Sequence, residues 1–141
     1  MTKKLITRFC ILPISVFMLQ SCTTFTDKVL TIDDYEGAKR PDSEVVTFFI
    51  GNQNTMNTQL MGQSSTRRAR VLRSNPVPRY VMVRCMSGNR YGITHFTGDF
   101  KIGHYYNVQC EWVDQAKRTV KATYTEATPQ QFAEERGGVL Q

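Results

Sequence analysis

Apolar and polar residues alternate in short runs along most of this chain. Tyr106, Val108, Cys110 and Trp112 fall on one parity, and Tyr105, Asn107, Gln109 and Glu111 on the other. Successive side chains of a strand point to opposite faces, so this is a strand with one buried side. Val120, Ala122 and Tyr124 repeat the pattern within residues 119–125, and Asp114-Gln115-Ala116-Lys117 reads as the hairpin loop between the two. Within residues 79–85, Val81, Val83 and Cys85 share one face while Tyr80, Met82 and Arg84 share the other. Residues 44–50 read Glu-Val-Val-Thr-Phe-Phe-Ile, a β-branched and aromatic run closed by Gly51-Asn52. Residues 91–96 make a further short strand between the turn signals Ser87-Gly88-Asn89 and Gly98-Asp99.

Short strands with turns this close predict a mainly β domain, a small antiparallel sandwich or barrel of immunoglobulin or prealbumin type. A short C-terminal helix completes it. Thr128 is its N-cap, Pro129 its first residue and Gln131 the closing half of a capping box, and Gly137-Gly138 stops it. So short a helix does not stand alone in water, and Phe132 is expected to pin it to the sheet. Tyr106, three residues after Gly103, resembles a tyrosine corner, whose hydroxyl bonds back to the turn backbone. Trp112 and the Phe48-Phe49 pair read as core. Residues 52–79, rich in Ser, Asn, Gln and Pro, are expected to form a mobile Arg-rich loop.

The N-terminus is a different kind of segment. Lys3, Lys4 and Arg8 give it a positive start, and residues 9–19 are apolar apart from Ser15, with Pro13 in the middle. That run is shorter than the roughly 20 residues a membrane-spanning helix needs. It fits a secretory signal. Leu19-Gln20-Ser21-Cys22 resembles a bacterial lipobox, with an aliphatic residue at Leu19 and a small one at Ser21; Gln20 is bulkier than that pattern usually carries. The resemblance implies cleavage before Cys22 and a covalent lipid, such as palmitate, on that cysteine. Thr23 stands where Asp would favour inner-membrane retention, which implies an outer-membrane lipoprotein facing the periplasm. The chain then divides into a signal (1–21), a lipidated N-terminus and tether (22–40) and a β-rich periplasmic domain (41–141). Val29-Leu30 and Ile32 are the tether's only aliphatic group. The alternative is that Leu30 and Ile32 pack on the domain as a short strand.

Tyr35, Gly37, Pro41, Glu44 and Val45, followed by an apolar strand, resemble the opening of a group of small bacterial envelope lipoproteins of unknown function. Gly103-His104-Tyr105-Tyr106 is similar to the Gly-His-x-Tyr turn late in their domain. The likeness covers the two ends of the domain and leaves residues 52–79 out. It implies a β-rich envelope lipoprotein without a known activity.

Charge and cysteines narrow the partners. The chain has 18 Lys+Arg and 12 Asp+Glu, but three of the cations and none of the acids lie in the signal, so the remaining 120 residues carry 15 against 12. So small an excess gives no basis for a nucleic-acid partner. Cys10 leaves with the signal. Cys85 and Cys110 remain, both on inward faces, and outside the cytoplasm a disulfide is their default state. A metal site of Cys85, His95, His104 and Cys110 would need spacings no zinc finger uses, so no metal is expected. His95, His104 and Asp99 have no spacing that fixes a catalytic set, so no enzyme and no cofactor beyond the Cys22 lipid is expected.

Arg67, Arg68, Arg70, Arg73 and Arg79 crowd 13 residues. They are read either as a solvated loop or as contacts to phosphate-bearing lipid, lipopolysaccharide or an acidic partner, which the guanidinium fork suits. Two functions follow. One is a structural or partner-binding lipoprotein held by its lipid and serving an unknown envelope protein. The other is a binding module for glycan or anionic lipid through residues 67–79, with Tyr80 or Tyr105 stacking on the ligand.

Overall fold

The computed structural model describes residues 31–52, 56–63 and 68–135. In chain order the strands are β1 (Thr31–Asp34), β2 (Val46–Phe49), β3 (Asn57–Met61), β4 (Arg68–Ala69), β5 (Val71–Ser74), β6 (Val81–Ser87), β7 (Arg90–Phe96), β8 (Tyr105–Asp114) and β9 (Thr119–Ala127), followed by the helix α1 (Pro129–Glu135). Sheet A runs β1-β5-β2-β8-β9 and sheet B runs β4-β3-β6-β7. The two form a small β-sandwich with one short C-terminal helix, as the alternation predicts.

The inward parities meet between the sheets. Val81, Val83 and Cys85 of β6 face Val108 and Cys110 of β8, and Leu60, Leu72, Ile32 and Val120 close the same core. The expected disulfide joins Cys85 to Cys110, with Cα atoms 5.9 Å apart. Because β6 lies in sheet B and β8 in sheet A, the bond staples one sheet to the other.

β2 lies inside sheet A between β5 and β8, and all four of its residues are buried. Phe48 points inward, its ring 4.9 Å from that of Phe100 and 5.6 Å from that of Tyr106. Phe49 points outward and meets Phe132 of α1 at 5.0 Å. A strand covered on both sides reads as an unbroken apolar run, which is why residues 45–50 do not alternate. The helix is held as expected. Gln131 N–H donates to Thr128 Oγ1 (3.1 Å), and Thr128 N–H donates to Gln131 Oε1 (2.8 Å), a reciprocal capping box.

The expected tyrosine corner is present: Lys101 N–H donates to the Tyr106 hydroxyl at 3.0 Å. Gly103 turns the chain there with φ of 80°. At the other edge β7 lies against β9 at Gly92, where an added Cβ would sit 2.6 Å from the Arg118 carbonyl oxygen.

Three expectations are corrected. The tether does not run to residue 40, because Thr31–Asp34 is a strand that pairs in parallel with β5 and buries Ile32. That is the alternative reading for Ile32; Leu30 lies outside the described residues. Within 52–79 the described residues include β3, β4 and β5, which bury Thr58, Leu60, Ala69, Val71 and Leu72 in place of the expected mobile loop; residues 53–55 and 64–67 lie outside the described residues. A hairpin of β6 and β7 alone is at best marginal in water, so sheet B needs β3 to persist. Only sheet B is purely antiparallel, for β2 pairs in parallel with β8.

Reducing the disulfide removes a link across a loop of 25 residues' separation. The chain-entropy account gives such a loop roughly 3.5 kcal/mol. A fall in Tm of about 10 °C or more on reduction is the expected outcome for a domain of this size. Thiol titration in denaturant without reductant should find neither Cys85 nor Cys110 free.

Candidate functional site

The arginines expected to act together are dispersed. Arg67 lies outside the described residues, as does Cys22. Arg68 is exposed on β4 of sheet B, Arg70 is exposed where the chain crosses to sheet A, and Arg79 is exposed before β6. Arg73 is 5% exposed and belongs to sheet A. Arg73 is therefore not part of an exposed binding surface over residues 67–79.

Arg73 has the opposite role to the one expected. Its Nη1 donates to Asp33 Oδ1 at 2.6 Å and to the Tyr35 hydroxyl at 3.1 Å. Its Nη2 lies 2.8 Å from Asp42 Oδ1 and donates to the Arg40 carbonyl. Burial disfavours the charge, but the hydrogen bond to Asp33 and the charges of Asp33 and Asp42 outweigh it, so the guanidinium pKa is raised. Arg40 N–H donates to the same Tyr35 hydroxyl at 3.0 Å, and the Tyr105 hydroxyl donates to Asp42 Oδ2 at 3.0 Å. Tyr105 also packs its ring on Phe132 at 4.6 Å.

This knot joins the two stretches that carry the family resemblance. Gly103 N–H donates to the Val45 carbonyl at 2.8 Å and Thr47 N–H to the His104 carbonyl at 3.0 Å. Residues 35–47 and 103–106 are one piece of structure, locked onto sheet A around Arg73.

The histidines are apart. His95 is on β7, its ring 5.9 Å edge-on to Tyr80, while His104 pairs with Glu126 in the turn before β8. Trp112 packs against the core, as expected.

The exposed surface that stands out is the outer face of sheet B. Cross-strand register sets Met61 beside Met82 and Met82 beside His95. The next row is Gln59, Arg84 and Ile93, and the one after it is Asn57, Met86 and Tyr91. Ile93 is 53% exposed, Tyr91 45% and Tyr80 43%. The Arg84 guanidinium lies over the Tyr91 ring at 4.3 Å. Arg84 Nε and Gln59 Oε1 are shut off from solvent and have no hydrogen-bond partner. Whereas α1 covers part of the outer face of sheet A, no described helix covers this one.

Sequence reasoning assigned Met82 and Arg84 to the outward parity but missed the face. The signal was there. Residues 45–98 contain seven arginines and not one Asp or Glu. The outward positions of β6 and β7 are Met, Arg, Met and Tyr, Ile, His, where a solvated face carries Lys, Glu and Thr.

At the end of the sandwich where β2 stops, Ile50, Gly51, Asn52, Met56, Asn57, Thr58 and Arg70 line an open cavity of about 380 Å³. No protein-family model, curated protein or solved structure matches the chain.

Arg73→Ala removes the buried guanidinium that Asp33, Asp42, the Tyr35 hydroxyl and the Arg40 carbonyl share. A loss of about 1–3 kcal/mol in urea unfolding is expected, because the two carboxylates left behind are 35% and 45% exposed and regain water. Arg68→Gln, on the exposed face, should change stability by less than about 0.5 kcal/mol. Equal, small effects of both substitutions would return Arg73 to the solvated class.

Proposed function

We propose that this chain is a lipid-anchored envelope protein, held through Cys22 at the periplasmic face of the outer membrane, whose domain binds another envelope protein. The observation that carries the reading is the outer face of sheet B, which no described helix covers. Met, Tyr and Arg are enriched in the cores of protein interfaces while Lys, Asp and Glu are depleted, and this face has that composition. The Cys85–Cys110 staple supports the compartment, because such bonds persist where the surroundings are oxidising. The lipobox-like stretch before Cys22 supports the anchor. From Cys22 to Thr31 the chain spans nine residues at most about 3.5 Å each, so the domain works within about 30 Å of its membrane.

A second reading rests on the cavity. Arg70 beside Asn52, Asn57 and Thr58 offers a cation and amides to a small anionic headgroup or a glycan. In it Arg70 acts without Arg73, and loss of binding to phosphatidylglycerol vesicles in Arg70→Gln would support it.

Cys22→Ser should abolish incorporation of a clickable fatty acid; incorporation at the wild-type level would remove the anchor from this reading. In mild detergent the lipidated protein should elute larger than its own micelle, and Ile93→Asp should return it to that micelle's size. Elution of the wild type at the monomeric size argues against a stable partner.

A further inference from the structure

Resting on the partner-binding reading, we propose that the outer face of sheet B docks a protein segment whose carboxylates flank apolar side chains. The charges point to it. The strands of sheet B carry Arg68, Arg84 and Arg90 and no carboxylate. The strands of sheet A carry Asp33, Asp34, Glu111, Asp114 and Glu126 against Arg73 and Lys121. Among the described residues every ion pair lies on sheet A or its adjoining turns. Arg84, and Arg68 beside Met61, lie on the outer face, while Arg90 pairs with Ser87 on the opposite parity; among the described residues none of the three is in an ion pair.

Arg84 occupies the middle row. Stacking on Tyr91 orients its guanidinium. A fork so placed takes a carboxylate with two bonds and loses little freedom in doing so. Around it Ile93 and Tyr91 are exposed, and Met61, Met82 and Met86 are half-buried. Methionines reshape to fit apolar side chains, so the surface meets a mixed acidic and apolar segment on both counts.

A second copy meeting it with the same face does not fit. A two-fold pairing of this face would set arginine against arginine. Sheet A of a neighbour has little to offer, since Asp33, Glu111, Asp114 and Glu126 are in ion pairs and Asp34 accepts from Gln63 N–H at 2.7 Å.

The test uses the full-length protein in cells, with a photo-crosslinking amino acid at Ile93 and, as control, at the exposed Thr123 of β9. The Ile93 probe is expected to give a protein adduct that Thr123 does not, at a peptide holding Asp or Glu beside apolar residues. Arg84→Glu should reduce the adduct about tenfold or more. Changing the crosslinked carboxylate to Arg should restore it. Arg68→Glu provides a second variant at an exposed site of the same face, and retention of the disulfide reports folding. An adduct indifferent to both charge reversals, or mapped to a segment without carboxylates, overturns the acidic-partner inference and leaves partner binding standing. Adducts to lipid alone, to a second copy alone, or none at all from Ile93 overturn both.

Discussion

Phe48 and Phe49 are neighbours in sequence and face opposite sides of the same sheet. One must be covered by sheet B and the other by something outside the sandwich. Phe48 sits among Phe96, Phe100 and Tyr106 in the inner core, while Phe49 lies under Phe132 with Val71 and Tyr105 beside it. Burying such a ring is worth about 1.5–3 kcal/mol. The two-turn helix α1, unable to hold itself in water, is therefore part of the core arrangement and not an appendage. It also explains why α1 leaves sheet B uncovered: the buried aromatic that needs it is on the outer side of sheet A.

The rest of that outer surface is polar and closed by Arg73. A buried ion pair is a poor source of net stability, because taking the charges from water consumes most of what their attraction returns. Its geometry is another matter. Asp33 reaches Arg73 only if β1 pairs with β5 in the observed register, and Asp42 reaches it only if residues 35–42 fold back across the sheet. The network fixes the path of the chain between the segment that follows Cys22 and the first core strand. Breaking it would free the first described stretch of the chain without emptying the hydrophobic core.

What could be read from the sequence follows from which physical signal each element carries. The parities of β6, β8 and β9, the hairpin, the tyrosine corner, the capping box and the disulfide are local patterns, and each is where its residues place it. The strands within 52–79 were hidden because their buried positions are few and lie among Ser, Gln and Arg. Thr58 and Leu60 make an inward pair of only two, and β4 is two residues long. Arg73 was misread for a deeper reason. An arginine in a polar stretch looks solvated until its partners are known, and Asp33 is 40 residues away in sequence. The uncovered face needed the pairing of strands before its rows could be seen.

Net charge concealed the most useful property of the molecule. The small positive excess over residues 22–141 hides two unequal surfaces among the described residues, one with arginines outside any ion pair and the other with acids matched to cations. At physiological salt, charges are screened beyond about 8 Å. A charge near the outer face of sheet B therefore feels Arg68 and Arg84 and not the carboxylates on the far side. Such local fields choose and orient partners more than they tighten them. Tightness has to come from the apolar rows, where Ile93, Tyr91 and the methionines can lose water. Each half of the surface supplies what the other lacks: without the arginines the apolar rows would accept any greasy neighbour, and without those rows the arginines would hold only a screened, transient contact.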